Sequence, residues 1–166
     1  MKLRETKKKL LTEDLVKIIE SVKKFKKGKH KATKIFQSIR MFVNKEVSEL
    51  LFGLINSFKI VKPGGKIIVV TFHSIEDKIV KYFFKNFSEN NKYSRYLPEI
   101  KNEKKLFILK NKKPIYPSLD EIKKYPSSRS AKLRYAEKNI DDDLFKDEFL
   151  EKFKYLTKVE DISKKL

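Results

Sequence analysis

A chain of 166 residues is the length of one ordinary domain, long enough for a hydrophobic core and too short for two independent ones. With no cysteine and two histidines it excludes disulfides, thiolate chemistry and cysteine-ligated zinc, and no metal site is expected. The net charge of +19 points to a polyanionic partner such as nucleic acid, although the lysine, isoleucine, asparagine and phenylalanine that AT-rich coding favours would also make a basic chain.

There is no apolar run of bilayer-spanning length and no signal-peptide pattern, so a soluble, cytoplasmic protein with no membrane partner is expected. Residues 140–166 hold 8 acids and 6 bases, which leaves 35 bases and 14 acids in residues 1–139.

Thr12, Glu13 and Asp14 read as a helix start, with acids at the positive end of the dipole. Leu15, Ile18, Ile19, Val22 and Phe25 follow at helical spacing. The run "KKFKKGKHK" breaks that pattern at Gly28 and reads as a basic connection. From Thr33 a single long helix is expected, because Ile35, Phe36, Ile39, Phe42, Val43, Val47, Leu50, Leu51, Leu54, Ile55 and Phe58 make one broad apolar stripe that Pro63 must end.

The period then changes. "KIIVVTF" is β-branched and apolar on both faces, as a strand buried in a parallel sheet would be. Ser74 is placed to cap the next helix, with Glu76 and Asp77 in its first turn and Ile75, Ile79, Val80, Phe83, Phe84 and Phe87 on its core face. "ENNKYSRYLPEIKNEKK" reads as a polar loop and "KLFILK" as a short strand. "PSLDEI" opens a brief helix with a capping box from Ser118 to Glu121. "RSAKLRYAEK" alternates like a half-exposed strand, and the remainder reads as a charged amphipathic helix, an extension. The fold class is α/β, and the carboxyl end of "KIIVVTF" is the first place to look for a ligand.

Three stretches, "HKATKIFQSIRMFVNKEV", "KPGGKIIVVTFHSIEDKIVKYFF" and "PSSRSAKLRYAEK", come in the order and at about the spacing seen in the bacterial enzymes that methylate the N4 amine of a cytosine in 16S ribosomal RNA. The chain resembles that family over most of residues 1–139. The combination of "FHSIED" with "RSAKLR" carries the resemblance, which implies S-adenosylmethionine as cofactor and the class I, Rossmann-like methyltransferase fold. Lys31 stands where the family usually has proline. The family's glycine-rich loop, its acid after the second strand and its Asp-Leu-Gly segment have no counterpart here: there are four glycines and no Gly-x-Gly.

By this comparison the chain is the carboxyl-terminal portion of such an enzyme. A partial sheet with strands 5-7-6 and flanking helices is expected, preceded by a helical substrate-binding region. "KIIVVTF" would be strand five, "KLFILK" strand six and "AKLRYAEK" strand seven. Residues 1–60 would belong to the helical region, 61–139 to the methyltransferase domain and 140–166 to a charged tail. Strand five would then expose an edge, and the polypeptide alone is expected to be marginal or self-associating. An internal or misassigned start, or a broken gene, would account for such a chain, and a separately encoded amino-terminal half would be a partner.

The family's chemistry is attack of a flipped-out cytosine's exocyclic amine on the sulfonium methyl group, with loss of a proton. The enzyme must orient and polarise that amine. His73, Ser74, Glu76 and Asp77 are the candidates near the base pocket. Each has a plainer reading: His73 bonding backbone, Ser74 a cap, the two acids serving the helix dipole. The RNA-binding candidates are His30, Thr33, Gln37, Arg40, Asn44, Arg129 and Arg134. A solvated helix face, or for Arg134 an ion pair inside the fold, would explain them as well. No cofactor-binding residue and no metal ligand is assigned. The implied partner is 16S rRNA or the small ribosomal subunit, and a non-catalytic RNA-binding fragment or a decayed gene piece stands as the alternative.

Overall fold

A computed structural model describes residues 11–22, 32–88, 105–142 and 145–162. The chain divides into two compact units, Met1–Glu46 and Val47–Leu166. Among the described residues no helix is long and apolar enough to cross a membrane.

The first unit holds α1 (Thr12–Val22) and α2 (Thr33–Asn44). Asp14, in the first turn of α1, accepts a hydrogen bond from the Leu11 N–H at 3.0 Å, so it satisfies a donor that the helix start leaves open. Ile19 is the buried apolar residue of α1 and Met41 that of α2. The run from 23 to 31, with Phe25, Gly28 and the candidate His30, lies outside the described residues.

The single helix expected from Thr33 is two helices. Lys45 takes the left-handed conformation (φ 53°) and its N–H closes α2 on the Met41 carbonyl, and α3 then runs from Glu46 to Ile60. A left-handed non-glycine residue costs about 1–2 kcal/mol. The new helix start is compensated from far along the chain: the Glu160 carboxylate accepts the N–H groups of Val47 (2.9 Å) and Ser48 (3.0 Å) and the Ser48 hydroxyl (2.5 Å). The apolar stripe is continuous across the break, which is why periodicity could not reveal it.

In the second unit the elements after α3 are β1 (Lys66–Thr71), α4 (Ser74–Asn86), β2 (Phe107–Ile108), α5 (Leu119–Lys124), a 3₁₀ turn over Pro126–Ser130, β3 (Lys132–Lys138) and α6 (Phe145–Asp161). The three strands form one sheet in the order β1-β3-β2, with both pairings antiparallel. Gly64 (φ 84°) and Gly65 turn the chain into β1. A Cβ on Gly65 would meet the Val61 side chain at 2.5 Å, so the close turn requires glycine there.

The register places Ile67, Val69 and Thr71 of β1 opposite Ala136, Arg134 and Lys132 of β3 on one face. Ile68 and Val70 lie opposite Tyr135 and Leu133 on the other. α4 packs on β1 and β3 and buries Ile79, Val80, Phe83 and Phe84. The expectation of burial on both faces of β1 is corrected: Ile67 and Thr71 are buried, whereas Ile68 is 62% and Val70 50% exposed. Among the described residues helix covers one face, and one β1 edge pairs with no described strand.

Residues 140–166 were expected as a tail, yet α6 belongs to the core. Its Phe145, Phe149 and Phe153 are buried. Phe145 meets Phe58 of α3 at 4.7 Å between ring centres, and Phe149 meets Phe83 of α4 at 4.9 Å. Residues 47–60, expected with the helical region, also fall in the second unit, because Leu51, Leu54, Ile55 and Phe58 are buried there. Buried Lys138 closes the other end of α3. Its Nζ donates to the carbonyls of Phe58 (2.6 Å) and Val61 (2.8 Å) and pairs with Asp141.

Candidate functional site

At the carboxyl end of β1 the strand leaves the sheet at Phe72 and enters α4 two residues later. The expected cap, Ser74, is the first helical residue, and the cap is His73 in extended conformation (φ −140°, ψ 166°). Its Nδ1 accepts the Glu76 N–H at 3.3 Å, which leaves the ring proton on Nε2, 3.1 Å from Glu76 Oε1. Glu76 Oε2 accepts the N–H groups of Phe72 (2.9 Å) and His73 (3.3 Å). This is a capping box in which histidine does the work usually given to serine, and a cap scan restricted to Ser, Thr, Asp and Asn passes over it.

Asp77 faces the sheet. Its Oδ1 accepts Arg134 Nε at 2.7 Å and its Oδ2 pairs with Lys132 Nζ at 3.1 Å. Burial pushes the Asp77 carboxyl up, but the hydrogen bonds and charges of Arg134 and Lys132 outweigh that and hold it below its ordinary value. Both acids at the junction are therefore engaged inside the fold. Ser74 is exposed, and its hydroxyl makes no hydrogen bond among the described residues. The arrangement offers a rim with an exposed hydroxyl and two carboxylates that already hold partners within the fold.

On α2, Gln37, Arg40 and Asn44 share a face as their spacing implies. Arg40 Nε lies 2.7 Å from Glu46 Oε1 and its Nη2 donates to Oε2 at 3.1 Å, while Asn44 Nδ2 approaches Oε1 at 3.5 Å. Glu46, which the sequence reading did not single out, thus neutralises part of that face. Thr33, at the amino end of α2, is exposed. Arg129 is exposed in the 3₁₀ turn. Arg134 takes the ion pair inside the fold and also donates Nη1 to the Lys112 carbonyl at 3.4 Å. Lys132 was missed because its partner lies 55 residues away.

The MraW methylase family matches this chain over residues 1–139. A ribosomal RNA small subunit methyltransferase H of Rhodopseudomonas palustris (strain BisB18) is 43% identical over 128 residues, covering 76% of this chain and 39% of the relative. The protein of the same description from Bartonella grahamii is 46% identical over 127 residues, 75% of this chain and 38% of its own. That from Bartonella henselae is 41% identical over 140 residues, 83% and 40%. The chain spans about two fifths of the length of these curated relatives.

Proposed function

The chain belongs to the MraW methylase family, and from that membership we propose that it supplies the carboxyl-terminal part of an S-adenosylmethionine-dependent methyltransferase acting on the N4 amine of a cytosine in 16S ribosomal RNA. The observation that carries the proposal is the family match over 139 residues, together with relatives described as small subunit ribosomal RNA methyltransferases. The sheet supports it: its order β1-β3-β2, antiparallel throughout, is consistent with a partial methyltransferase sheet in which these strands are read as 5-7-6. The protein works in the cytoplasm, with the small ribosomal subunit and its RNA as partner.

Among the described residues none forms the glycine cradle that the cofactor calls for. Ligands in open α/β sheets sit at the carboxyl ends of strands, in loops whose glycines let the backbone approach. Here Gly64 and Gly65 lie before β1 and Gly53 lies in α3. The β1 edge that pairs with no described strand is where a polypeptide carrying the cofactor half adds to the sheet. His73, Glu76 and Asp77 are positioning residues that fix the rim of the cleft, and the Ser74 hydroxyl faces the incoming base. The polar face of α2, with Thr33, Gln37 and Arg40, and Arg129 of the 3₁₀ turn contact RNA in the helical unit and the sheet unit respectively.

The test is complementation. The chain is mixed with the amino-terminal portion of the Bartonella henselae relative, methyl-labelled S-adenosylmethionine and small ribosomal subunits lacking the modification. Label is expected in the RNA only when both polypeptides are present. If RNA binds without label transfer in any mixture, the catalytic reading fails and the non-catalytic RNA-binding reading, favoured by the missing glycine cradle, replaces it.

A further inference from the structure

We infer that the second unit carries a phosphate-binding notch for the RNA backbone, placed between α4 and the connection from β2 to β3. The inference rests on the proposed RNA substrate. Lys81 and Lys85, one turn apart on α4, converge with Asn111, Lys112 and Arg134 around a notch of about 20 Å³. No carboxylate lines it. Among the described residues neither Lys81 nor Lys85 is in an ion pair, whereas neighbouring Lys110 is matched by Glu137 at 3.1 Å.

Two features favour a phosphate oxygen. The volume of about 20 Å³ matches one oxygen-sized group. The guanidinium of Arg134 is already locked, its Nε on Asp77 at 2.7 Å and its Nη1 on the Lys112 carbonyl at 3.4 Å, so binding orders little that is not ordered beforehand. Asp77 thus has a second consequence: the pair that fastens α4 to β3 also aims the arginine.

The test uses the full chain and a fluorescently labelled hairpin RNA, with binding followed across a salt series. The double variant Lys81→Gln, Lys85→Gln is compared with Lys123→Gln, Lys124→Gln, which removes the same charge from α5. The first variant is expected to weaken binding uniformly across RNA sequences and to reduce the slope of log affinity against log salt by about 1. The second is expected to leave the slope near that of the parent. Equal losses in both variants would show attraction to net charge alone and overturn the notch, as would a Lys81/Lys85 variant that binds like the parent. In those two cases RNA binding itself survives. If the parent binds no RNA, amide shifts at Asn111 on titration with inorganic phosphate would mark a site for free anion instead, which also overturns the inference as stated.

Discussion

The two faces of the sheet have the same alternation of residues and opposite surroundings. Ile67, Ala136 and Phe107 point to the side covered by α4 and the phenylalanines of α6, and all three are buried. Ile68, Val70 and Ile108, one residue along on each strand, are exposed, and Phe72 beyond the strand is 56% exposed. Apolar residues at successive positions on an uncovered face are costly to leave in water, each forfeiting roughly 1.5–3 kcal/mol of burial. Among the described residues, helix covers one face of this sheet and leaves the apolar residues of the other exposed.

The largest effect comes from stripping the covered face. Phe149→Ala should cost about 3–5 kcal/mol, a large part of a domain's net stability, read as a fall in the urea midpoint followed by circular dichroism. An unchanged midpoint would mean that α6 does not cover the core in solution.

Next is the polar end of the same face. Asp77→Asn removes the acceptor shared by Arg134 and Lys132 and should cost about 1.5–3 kcal/mol at neutral pH. Because the folded-state value of Asp77 is depressed, its contribution is fully present above the ordinary carboxylate value and is lost as pH falls through the lower folded one. The variant should therefore show a flatter stability profile on the acid side. A profile parallel to that of the parent would remove the ion pair from the account.

Glu160→Ala opens the start of α3 without touching the sheet, and a loss of about 0.5–2 kcal/mol is expected in thermal melts. A cost near zero would show the cap replaced by water. On the open face, Ile68→Lys with Val70→Lys should change stability by only about 0.5 kcal/mol. The same pair should lower self-association in sedimentation experiments. Unfolding by these lysines would show that the face is covered after all.

A group outside the sheet sharpens the picture of α6. The Tyr82 phenol donates to Glu148 at 3.2 Å, and burial, then the charge and hydrogen bond of Glu148, push it up to about 12. Ultraviolet titration should find one tyrosine resisting ionisation well above pH 10. As pH rises past the unfolded value near 10, the unfolded chain loses that proton first and the folded state loses ground.

Local chemistry was legible in order and type. The change of period at Lys66, the buried stripe of Phe83, Phe84 and Phe87, the Ser118 cap bonding the Glu121 N–H at 3.1 Å, and the strand at 132–138 all follow from spacing and cap chemistry that act within a few residues. The same reach explains the misses. Histidine capping at 73 uses a ring nitrogen that a hydroxyl-and-carboxylate rule overlooks, and the spacing that put Gln37, Arg40 and Asn44 on one face gave no sign that Glu46 pairs with Arg40.

By itself the sequence determined the α/β class, the basic body, the family and the residues at the end of β1, because these depend on neighbours along the chain and on composition. Only the tertiary structure decided that Lys45 breaks a continuous stripe, that α6 is core, and that Asp77 joins Arg134 and Lys132. In each case the deciding partner lies 55 to 113 residues away, and only folding brings a carboxylate or an aromatic ring close enough to decide the matter.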